Sequence, residues 1–355
     1  MADATTLHTI ATHGAARLPA VEVDSYNVEI KDDEGFIGDR ASKGAFREII
    51  ENWRKAMRKK GEDPFGDTLS EDLKKKQFDD ALAKGDPEAA GIVHGAVEDY
   101  SQELALIIKR FLKLKDWKDT QRLVIGGGFR GSRVGEIAIG RTAVILKSDG
   151  NDIELVPIRN EPDEAGLIGA AHLAPKWLFK GFDAILGIDI GGTNIRAGVV
   201  DLNLKKAGDL SKACVWKHEL WRHAEEKTID RDGAVDGLVQ MLKDLIEIAE
   251  KQKYTLAPFI GIGCPGMIEQ DGSIDRGAQN LPGNWESSKF NLPAALHKAI
   301  PKIGDDDTAI VMHNDAVVQG LSEVPFMTDV ERWGVLTIGT GLGNARFTNR
   351  KAQAD

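Results

Sequence analysis

Apolar residues recur every three or four positions in three long segments of the chain, and this spacing predicts amphipathic helices. The most regular segment runs from Pro87 to about Lys115, and the other two cover residues 43–60 and 232–252. Short apolar runs that stop at a glycine or a polar residue predict buried strands. These runs are RLVIGGG, AILGIDI, RAGVVDL, FIGIGCPG, AIVMHND and GVLTIGTG. Strands that alternate with helices predict an α/β fold with sites at the carboxyl ends of the strands.

Three shorter segments have patterns of their own. Residues 21–31, VEVDSYNVEIK, alternate apolar and polar positions and predict two half-buried strand segments or an edge hairpin. Residues 142–158, TAVILKSDGNDIELVPI, predict two strands about the turn signal Asp149-Gly150. Residues 163–177 are rich in small side chains and predict a helix that stops near Pro175.

Length and composition narrow the class of protein. A chain of 355 residues exceeds what one core usually supports, so we expect two lobes of roughly 150 residues each. No apolar run reaches the ~18 residues that a membrane helix needs. The net charge of -10 repels phosphate backbones and argues against a nucleic-acid partner. Two cysteines, Cys214 and Cys264, cannot build a disulfide framework, and no secretory leader is recognisable, so we expect a cytoplasmic protein.

Three glycine turns, each directly after a strand-like run, are candidate phosphate sites. Glycine lets the chain turn tightly, so that backbone N–H groups approach an anion closely. In the first turn, DIGGTN, the carboxylate of Asp189 could also hold Mg²⁺ or its waters. The second and third turns are IGTGLGN and VIGGGFRGS. Taken singly, each turn is also compatible with a structural corner that binds nothing.

The third glycine turn also satisfies the dinucleotide-binding pattern. Gly126, Gly128 and Gly131 have the required spacing, and Asp149 follows about twenty residues later. A nicotinamide site needs a helix and then a second strand that ends at this acid. The hairpin predicted about Asp149 does not provide that context and argues against this alternative.

Four segments in the second half of the chain resemble, in order and rough spacing, the opening half of bacterial sugar kinases of the ROK family (repressor, open reading frame, kinase). They are GIDIGGTNIRAGVVD, GCPGMIEQDGSIDRGAQNLPGNW, VMHNDAVVQG and GVLTIGTGLGNARF. Two earlier segments, DTQRLVIGGGFRGSRVGEIAIGRTAVIL and IRNEPDEAGLIGAAHL, resemble the end of the same proteins. The resemblance implies an α/β fold of the two-lobed, actin-like and ribonuclease-H-like type.

The order of these segments predicts a circularly permuted chain. The family's closing half lies before about residue 175, and its opening half follows from about residue 184. Permutation is tolerated where the original termini lie close together, and the resemblance implies that here they do. We expect one lobe from residues 14–162 plus 324–355 and the other from residues 163–323. The alternative is a fusion of two partial modules.

The resemblance also implies a site. Asp315 takes the position of the catalytic base, Asn280 and Asn314 join it in binding the sugar, and Asp189 attends Mg²⁺. The residues implied to hold ATP are Gly191, Gly192 and Thr193, then Gly339, Thr340 and Gly341, and finally Gly127 and Gly128, which would face adenosine. Two alternatives stay open: Asp315 as an Asx turn or helix cap, and Arg196 in an inter-strand salt bridge rather than on a phosphate.

Departures from the family pattern leave part of the sugar contacts open. We find no clean Glu-x-Gly-His segment, and IATHGAA supplies only His13, which we expect in a disordered tail. The segment EGFIGDRASKGAF resembles the stretch after the family's zinc loop but has no cysteine, and Asp39 lies next to the expected position of the glutamate that ends that loop. We therefore expect no zinc.

The leading hypothesis is an ATP-dependent kinase for a hexose or a hexose derivative. The alternative from another class is a sugar-binding sensor or scaffold of the same fold that lacks turnover. Polyphosphate stays open as the phosphoryl donor, because glycine turns bind phosphates in general. A ROK repressor would need a helix-turn-helix ahead of the first phosphate turn, where this sequence looks like a kinase lobe. The family resemblance implies a homodimer.

Overall fold

The computed structural model describes residues 12–226 and 228–351. The three segments with helical spacing form long helices, and Ser42, Asp86 and Asp230 cap their N-termini by accepting a backbone N–H of the first turn. Within the described ranges, no helix is long and apolar enough to cross a membrane. The helices are α1 (Lys43–Arg58), α2 (Lys75–Lys84), α3 (Pro87–Phe111), α4 (Arg133–Ser148), α5 (Ala165–Ala170), α6 (Arg231–Lys251), α7 (Leu292–Ala299) and α8 (Asp315–Leu321).

The predicted apolar runs form strands, and these belong to two five-stranded sheets and two small hairpins. The strands are β1 (Val21–Tyr26), β2 (Lys31–Asp32), β3 (Gly35–Phe36), β4 (Arg122–Gly126), β5 (Glu154–Pro157), β6 (Ala184–Ile190), β7 (Ile195–Asp201), β8 (Cys214–Trp221), β9 (Leu256–Cys264), β10 (Lys302–Ile303), β11 (Asp306–Asp307), β12 (Ala309–Asn314), β13 (Arg332–Ile338) and β14 (Leu342–Asn349).

The first sheet has the order β12-β9-β6-β7-β8. At its centre, β6 runs parallel to β9 and antiparallel to β7, and β12 extends the parallel side. Every residue of β6 is buried, which explains why its sequence AILGIDI is apolar throughout rather than alternating. The carboxyl ends of β6, β9 and β12 therefore meet at one edge of this sheet.

The second sheet has the order β1-β14-β13-β4-β5. Here β4 runs parallel to β13 and β5, and β1 runs antiparallel to β14. Residues 339–341 connect β13 to β14, a connection short enough only for antiparallel neighbours.

The strands of the two sheets have the same spatial arrangement. In the first sheet, β6, β7 and β8 form a meander, and β9 and β12 lie parallel on the other side of β6. In the second sheet, β13, β14 and β1 take the corresponding three places, and β4 and β5 lie on the other side of β13. Along the chain, however, β1, β4 and β5 precede β13 and β14. This duplicated mixed sheet is the actin-like arrangement, and the α/β fold class is confirmed.

By internal contacts the chain divides into two compact units. The first unit comprises the residues up to Asn27, Asp163–Glu331 and the residues from Ala345 onward, and the second comprises Val28–Pro162 and Arg332–Asn344. Both this division and the expected lobes break the chain at Asp163.

The division differs from the expected lobes in three segments, residues 14–27, 324–331 and 345–355, which it groups with the first unit. Hydrogen bonds give the physical reason for the earliest of these segments. The amide of Gly14 donates to the carbonyl of Met312 in β12, and the hydroxyl of Tyr26 bonds the backbone of Ile268.

The hairpin predicted over residues 142–158 is wrong. Residues up to Ser148 belong to α4, which starts at the cap Ser132 and buries Ala138, Thr142 and Ile145 at helical spacing. The β-branched residues of this helix imitate a strand, but its buried face against α3 decides the conformation. The edge strand β8 was not predicted, because its residues are half-buried or exposed and form no apolar run.

The loop between α1 and α2 is organised by a buried arginine. The fully buried guanidinium of Arg54 donates to the carboxylate of Asp63, to the hydroxyl of Ser70 and to the carbonyl of Gly66. All of these acceptors lie in one loop, so the guanidinium serves as its internal scaffold.

Replacing Arg54 with alanine should destabilise the protein by about 3 kcal/mol, because the buried acceptors lose their donor. Urea unfolding followed by circular dichroism measures this loss. The matched control is Arg141→Ala, which removes an exposed ion pair with Glu98 and should cost much less. Equal losses for the two variants would contradict the scaffold role of Arg54.

Candidate active site

The candidate site of the first unit lies at the carboxyl edge of the first sheet. Asp189 is the penultimate residue of β6, and Asp315 directly follows β12. In the sheet register, Asp189 stands opposite Gly263 of β9, and Asn314 stands opposite Cys264. Because β6 and β12 both run parallel to β9, their carboxyl ends bring both predicted aspartates to the same edge of the sheet.

Asn314 fixes the start of α8. Its side-chain oxygen accepts the amides of Ala316 and Val317 at 3.0 and 3.3 Å, and its side-chain nitrogen donates to the carbonyl of Gly266 at 3.0 Å. Asn314 is therefore the helix cap, and Asp315 does not have that task. Because Asn314 is buried and both ends of its amide are engaged, its part in the site is to orient its neighbours.

The carboxyl group of Asp315 is half-buried, and its pKa is raised to about 7. Burial is the main cause, and the nearby charge of Asp189 adds to it, while hydrogen bonds from the α8 backbone act in the opposite direction. Burial, with the same two carboxylates as smaller causes, raises the pKa of the Cys264 thiol, which keeps that neighbour neutral. Asp315 is thus poised to exchange a proton near neutral pH.

Asp189 is almost fully buried, and one of its oxygens, Oδ1, has no hydrogen-bond partner within the described residues. This oxygen packs against α5 so closely that a Cβ on Gly166 would lie 2.6 Å from it. Burial raises the pKa of Asp189, and the positive charge of Arg196 opposes that shift.

Arg196 faces Asp189 across the strand pair. The two residues are register partners on β7 and β6, with Nη1 of Arg196 3.7 Å from Oδ2 of Asp189. The same guanidinium also pairs with Asp163. Of the two predictions for Arg196, the structure therefore displays the inter-strand salt bridge.

The carboxylate of Asp189 fits a magnesium ion that is held mainly by phosphates and water. Mg²⁺ usually binds through one or two carboxylates plus substrate phosphates, and an orphaned buried oxygen supplies such a ligand. Among residues 12–226 and 228–351, no cluster of three or more His, Cys, Asp or Glu side chains could hold a metal on its own.

The first glycine turn and Asn280 lie together. A Cβ on Gly192 would be 3.3 Å from the Cβ of Asn280, whose side chain is exposed. The amide of Gly191 donates to Asn194, and the carbonyl of Gly191 contacts Nε2 of His223 at 2.9 Å. No pattern in the sequence marks the buried His223, because it is an isolated histidine in a polar segment.

The turn around Thr193 and the tryptophan near Asn280 complete this region. Thr193 is exposed, and its carbonyl accepts the amide of Ala224 at 3.4 Å. Trp285 is buried, donates its indole N–H to Pro282 and packs edge-on against Phe290. The tryptophan is therefore a packing residue.

The other two glycine turns lie in the second unit, at the carboxyl ends of β13 and β4. Residues Gly339, Thr340 and Gly341 form a tight turn in which the amide of Gly339 donates to the carbonyl of Gly341. The amide of Phe129, next to Gly127 and Gly128, donates to Ile338 at the end of β13. Parallel pairing of β4 with β13 thus brings these two turns together.

The elements of a dinucleotide site do occur in the required order: the strand β4, the third glycine turn, the helix α4 and the second strand β5. The acid is in the wrong place, however, because Asp149 caps the C-terminal end of α4 and pairs with Lys109 at 2.5 Å. A nicotinamide site would require it at the end of β5.

Two further residues of interest in the sequence, His13 and Asp39, have defined positions in the structure. His13 is not in a disordered tail, because its Nδ1 accepts the amide of Met312 at 3.1 Å and burial lowers its pKa. Asp39 lies exposed in a short 3-10 helix, Ile37–Ala41, of the second unit.

Glycine turns at the carboxyl ends of two actin-like sheets define the class of protein, the actin-like ATPase fold. Residues 185–354 match the model of the ROK family. The glucokinase of Thermotoga maritima is 25% identical over 167 residues, which are 46% of this chain and 44% of that protein. The chain therefore spans less than half the length of this relative.

Solved structures overlap with the chain in part. A proposed N-acetylmannosamine kinase of Listeria monocytogenes is 24% identical, with a TM-score of 0.32 and 47% of each chain covered. A PPX-GPPA enzyme of Aquifex aeolicus is 12% identical, with a TM-score of 0.28, 69% of this chain covered and 86% of that chain. Overlaps at such TM-scores add nothing to what the strand order shows.

Replacing Asp315 with asparagine should stabilise the protein, and the gain should grow with pH. The folded-state pKa, about 7, lies above the ordinary value of 3.8, so the native state binds a proton more tightly than the unfolded chain. Wild-type stability therefore falls as pH rises between these values, and the variant escapes that loss. Urea unfolding at pH 5 and pH 8 measures the difference in the free energy of unfolding between the variant and the wild type. An equal difference at both pH values would contradict the raised pKa.

Proposed function

We propose that the protein transfers the γ-phosphoryl group of Mg-ATP to a hydroxyl of a hexose or hexose derivative. The observation that carries the proposal is a carboxyl group of raised pKa, Asp315, at the same sheet edge as Asp189 and the first glycine turn. The ROK match and the relative that is a glucokinase support a sugar as the acceptor.

Asp315 acts as the general base in this proposal. Its ionised carboxylate takes the proton of the acceptor hydroxyl as the sugar oxygen forms its bond to the γ-phosphorus, and ADP leaves. A base with a pKa near 7 combines a sizeable ionised fraction with proton affinity at neutral pH. Asn314 holds this residue at the start of α8, and the exposed amide of Asn280 bonds sugar hydroxyls.

The phosphates of ATP are held by backbone N–H groups and one cation. In the proposal, Gly191, Gly192 and Thr193 of the first turn bind phosphate, the second turn also binds phosphate, and Gly127 and Gly128 face adenosine. The second turn consists of Gly339, Thr340 and Gly341. Asp189 would hold Mg²⁺ or its waters, and the cation would supply positive charge that neutralises the phosphates.

The chain order is that of a circular permutant with two lobes that divide at residue 163, the boundary that the expected lobes (residues 14–162 plus 324–355 and residues 163–323) share with the compact units. The support is internal, because the second sheet repeats the spatial arrangement of the first while β1, β4 and β5 precede β13 in the chain. We also infer a cytoplasmic protein that works as a homodimer on a small sugar, as the family resemblance implies.

The alternative is a sugar sensor or scaffold of the same fold. The observation in its favour is the missing Glu-x-Gly-His segment, which leaves fewer sugar contacts than the family usually has. Sugar binding without phosphoryl transfer would favour this function.

An ADP-release assay with Mg-ATP and a panel of glucose, fructose, mannose, N-acetylglucosamine and N-acetylmannosamine should show turnover of at least one sugar. Asp315→Asn should lower kcat about 10²–10⁴-fold, because the general base is lost. The matched control is Asp305→Asn, which removes an exposed carboxylate in the turn between β10 and β11 and should leave kcat unchanged. No turnover in folded wild-type protein would contradict the proposal.

The pH profile of the same reaction should follow the ionisation of Asp315. Only the ionised carboxylate accepts a proton, so kcat/KM should rise about tenfold per pH unit in acid and level off above about pH 7. A profile that is flat between pH 5 and pH 8 would contradict the assigned base.

A further inference from the structure

We propose that Asn27 binds a sugar hydroxyl and supplies a substrate contact from the end of β1. This inference rests on the proposed sugar-kinase function and names a specificity-determining residue for it. Asn27 is remote from the sugar-binding motifs in sequence, yet it lies in the same compact unit as Asp315 and Asn280.

The backbone at Asn27 has an uncommon conformation. Its φ of 51° lies in the left-handed region, where asparagine is tolerated better than most residues. The preceding residue anchors it, since the hydroxyl of Tyr26 donates to the carbonyl of Ile268 and accepts its amide, both at 3.3 Å. The ring of Tyr26 also packs edge-on against His313, with 5.0 Å between centroids.

The amide of Asn27 reaches the loop that carries the sugar-binding motif. A Cβ placed on Gly277 would lie 3.1 Å from Nδ2 of Asn27 and 2.9 Å from the Cα of Gly266. Both glycines have positive φ, so the chain can approach closely only because neither carries a side chain. Asn27 therefore contacts the point where the two arms of this loop converge.

This point is connected to both ends of the candidate site. The carbonyl of Gly266 accepts the side-chain N–H of Asn314, whose neighbour is Asp315. Gly277 precedes Asn280 by three residues, and Asn280 packs on the first glycine turn. In the proposed function the acceptor sugar lies between Asp315 and Asn280, and this loop links the amide of Asn27 to both residues.

The side chain of Asn27 is available for a ligand. It is half-buried, and it forms no hydrogen bond with any residue in the described parts of the chain. An amide offers two donors and one acceptor oxygen, which match hydroxyl groups that donate and accept. Held on a pinned strand end, it loses little conformational freedom when a sugar binds.

Asn27→Gly is the sharpest variant, because glycine adopts the left-handed backbone without strain and only the amide is lost. We expect the KM for the sugar to rise about tenfold, the cost of one lost hydrogen bond to a neutral group. The KM for ATP and the melting temperature should stay close to wild type. The KM of wild type and variant should become equal for the one deoxy analogue that lacks the hydroxyl bound by Asn27. For every other deoxy analogue the tenfold difference in KM should remain.

The matched control is Asn203→Gly. Asn203 also has a left-handed backbone, with φ of 47°, but it follows β7 at the opposite edge of the first sheet. This variant should leave the KM for the sugar unchanged. A sugar KM equal to wild type in Asn27→Gly, or one raised equally in both variants, would overturn the inference.

Calorimetric sugar binding separates this inference from the proposed function. If wild-type protein binds a sugar but transfers no phosphoryl group, the kinase function fails, and a tenfold weaker sugar affinity in Asn27→Gly still supports the contact. If wild-type protein turns over a sugar and Asn27→Gly binds it equally well, the contact alone fails. If wild-type protein binds no sugar of the panel, both are overturned.

Discussion

The candidate site depends on two carboxylates at one edge of one sheet: Asp189, which is almost fully buried, and Asp315, which is half-buried. Burial raises the pKa of both, and the charge of Asp189 raises that of Asp315 further. The positive charge of Arg196, on the neighbouring strand β7, offsets part of the free-energy cost of burying the Asp189 carboxylate. Because Gly166 has no side chain, α5 can pack directly on Asp189. A protein selected for stability alone would not keep an orphaned carboxylate oxygen there, so the arrangement indicates a site that is built for a ligand.

The chain order shows how little a sheet depends on the sequence in which its strands are connected. The second sheet has the spatial arrangement of the first, although β13 and β14 come last in the chain and β1 comes first. What the order changes is which segment carries which side chain to the site. Strand β1 ends at Tyr26, whose hydroxyl bonds the backbone of Ile268 and so fixes this strand end beside the chain that follows β9.

Much of this could be predicted from sequence, because the relevant signals are local. Buried parallel strands are almost entirely apolar, and polar residues at or directly after their carboxyl ends, such as Asp189 and Asp315, lie at the edge where ligands bind. The prediction failed over 142–158, where β-branched residues imitate a strand and packing against α3 imposes a helix. It also missed His223 and Asn27, because their contacts join residues that are far apart in the chain, and no periodicity encodes such contacts.

The most direct test is to measure the pKa of Asp315 by carbon-13 NMR of its carboxyl group, in wild-type protein and in Asp189→Asn. We predict titration near pH 7 in the wild type, and a lower pKa in the variant because one negative charge has been removed. Titration of Asp315 near its ordinary value of 3.8, unchanged by the substitution, would contradict the account of the buried pair.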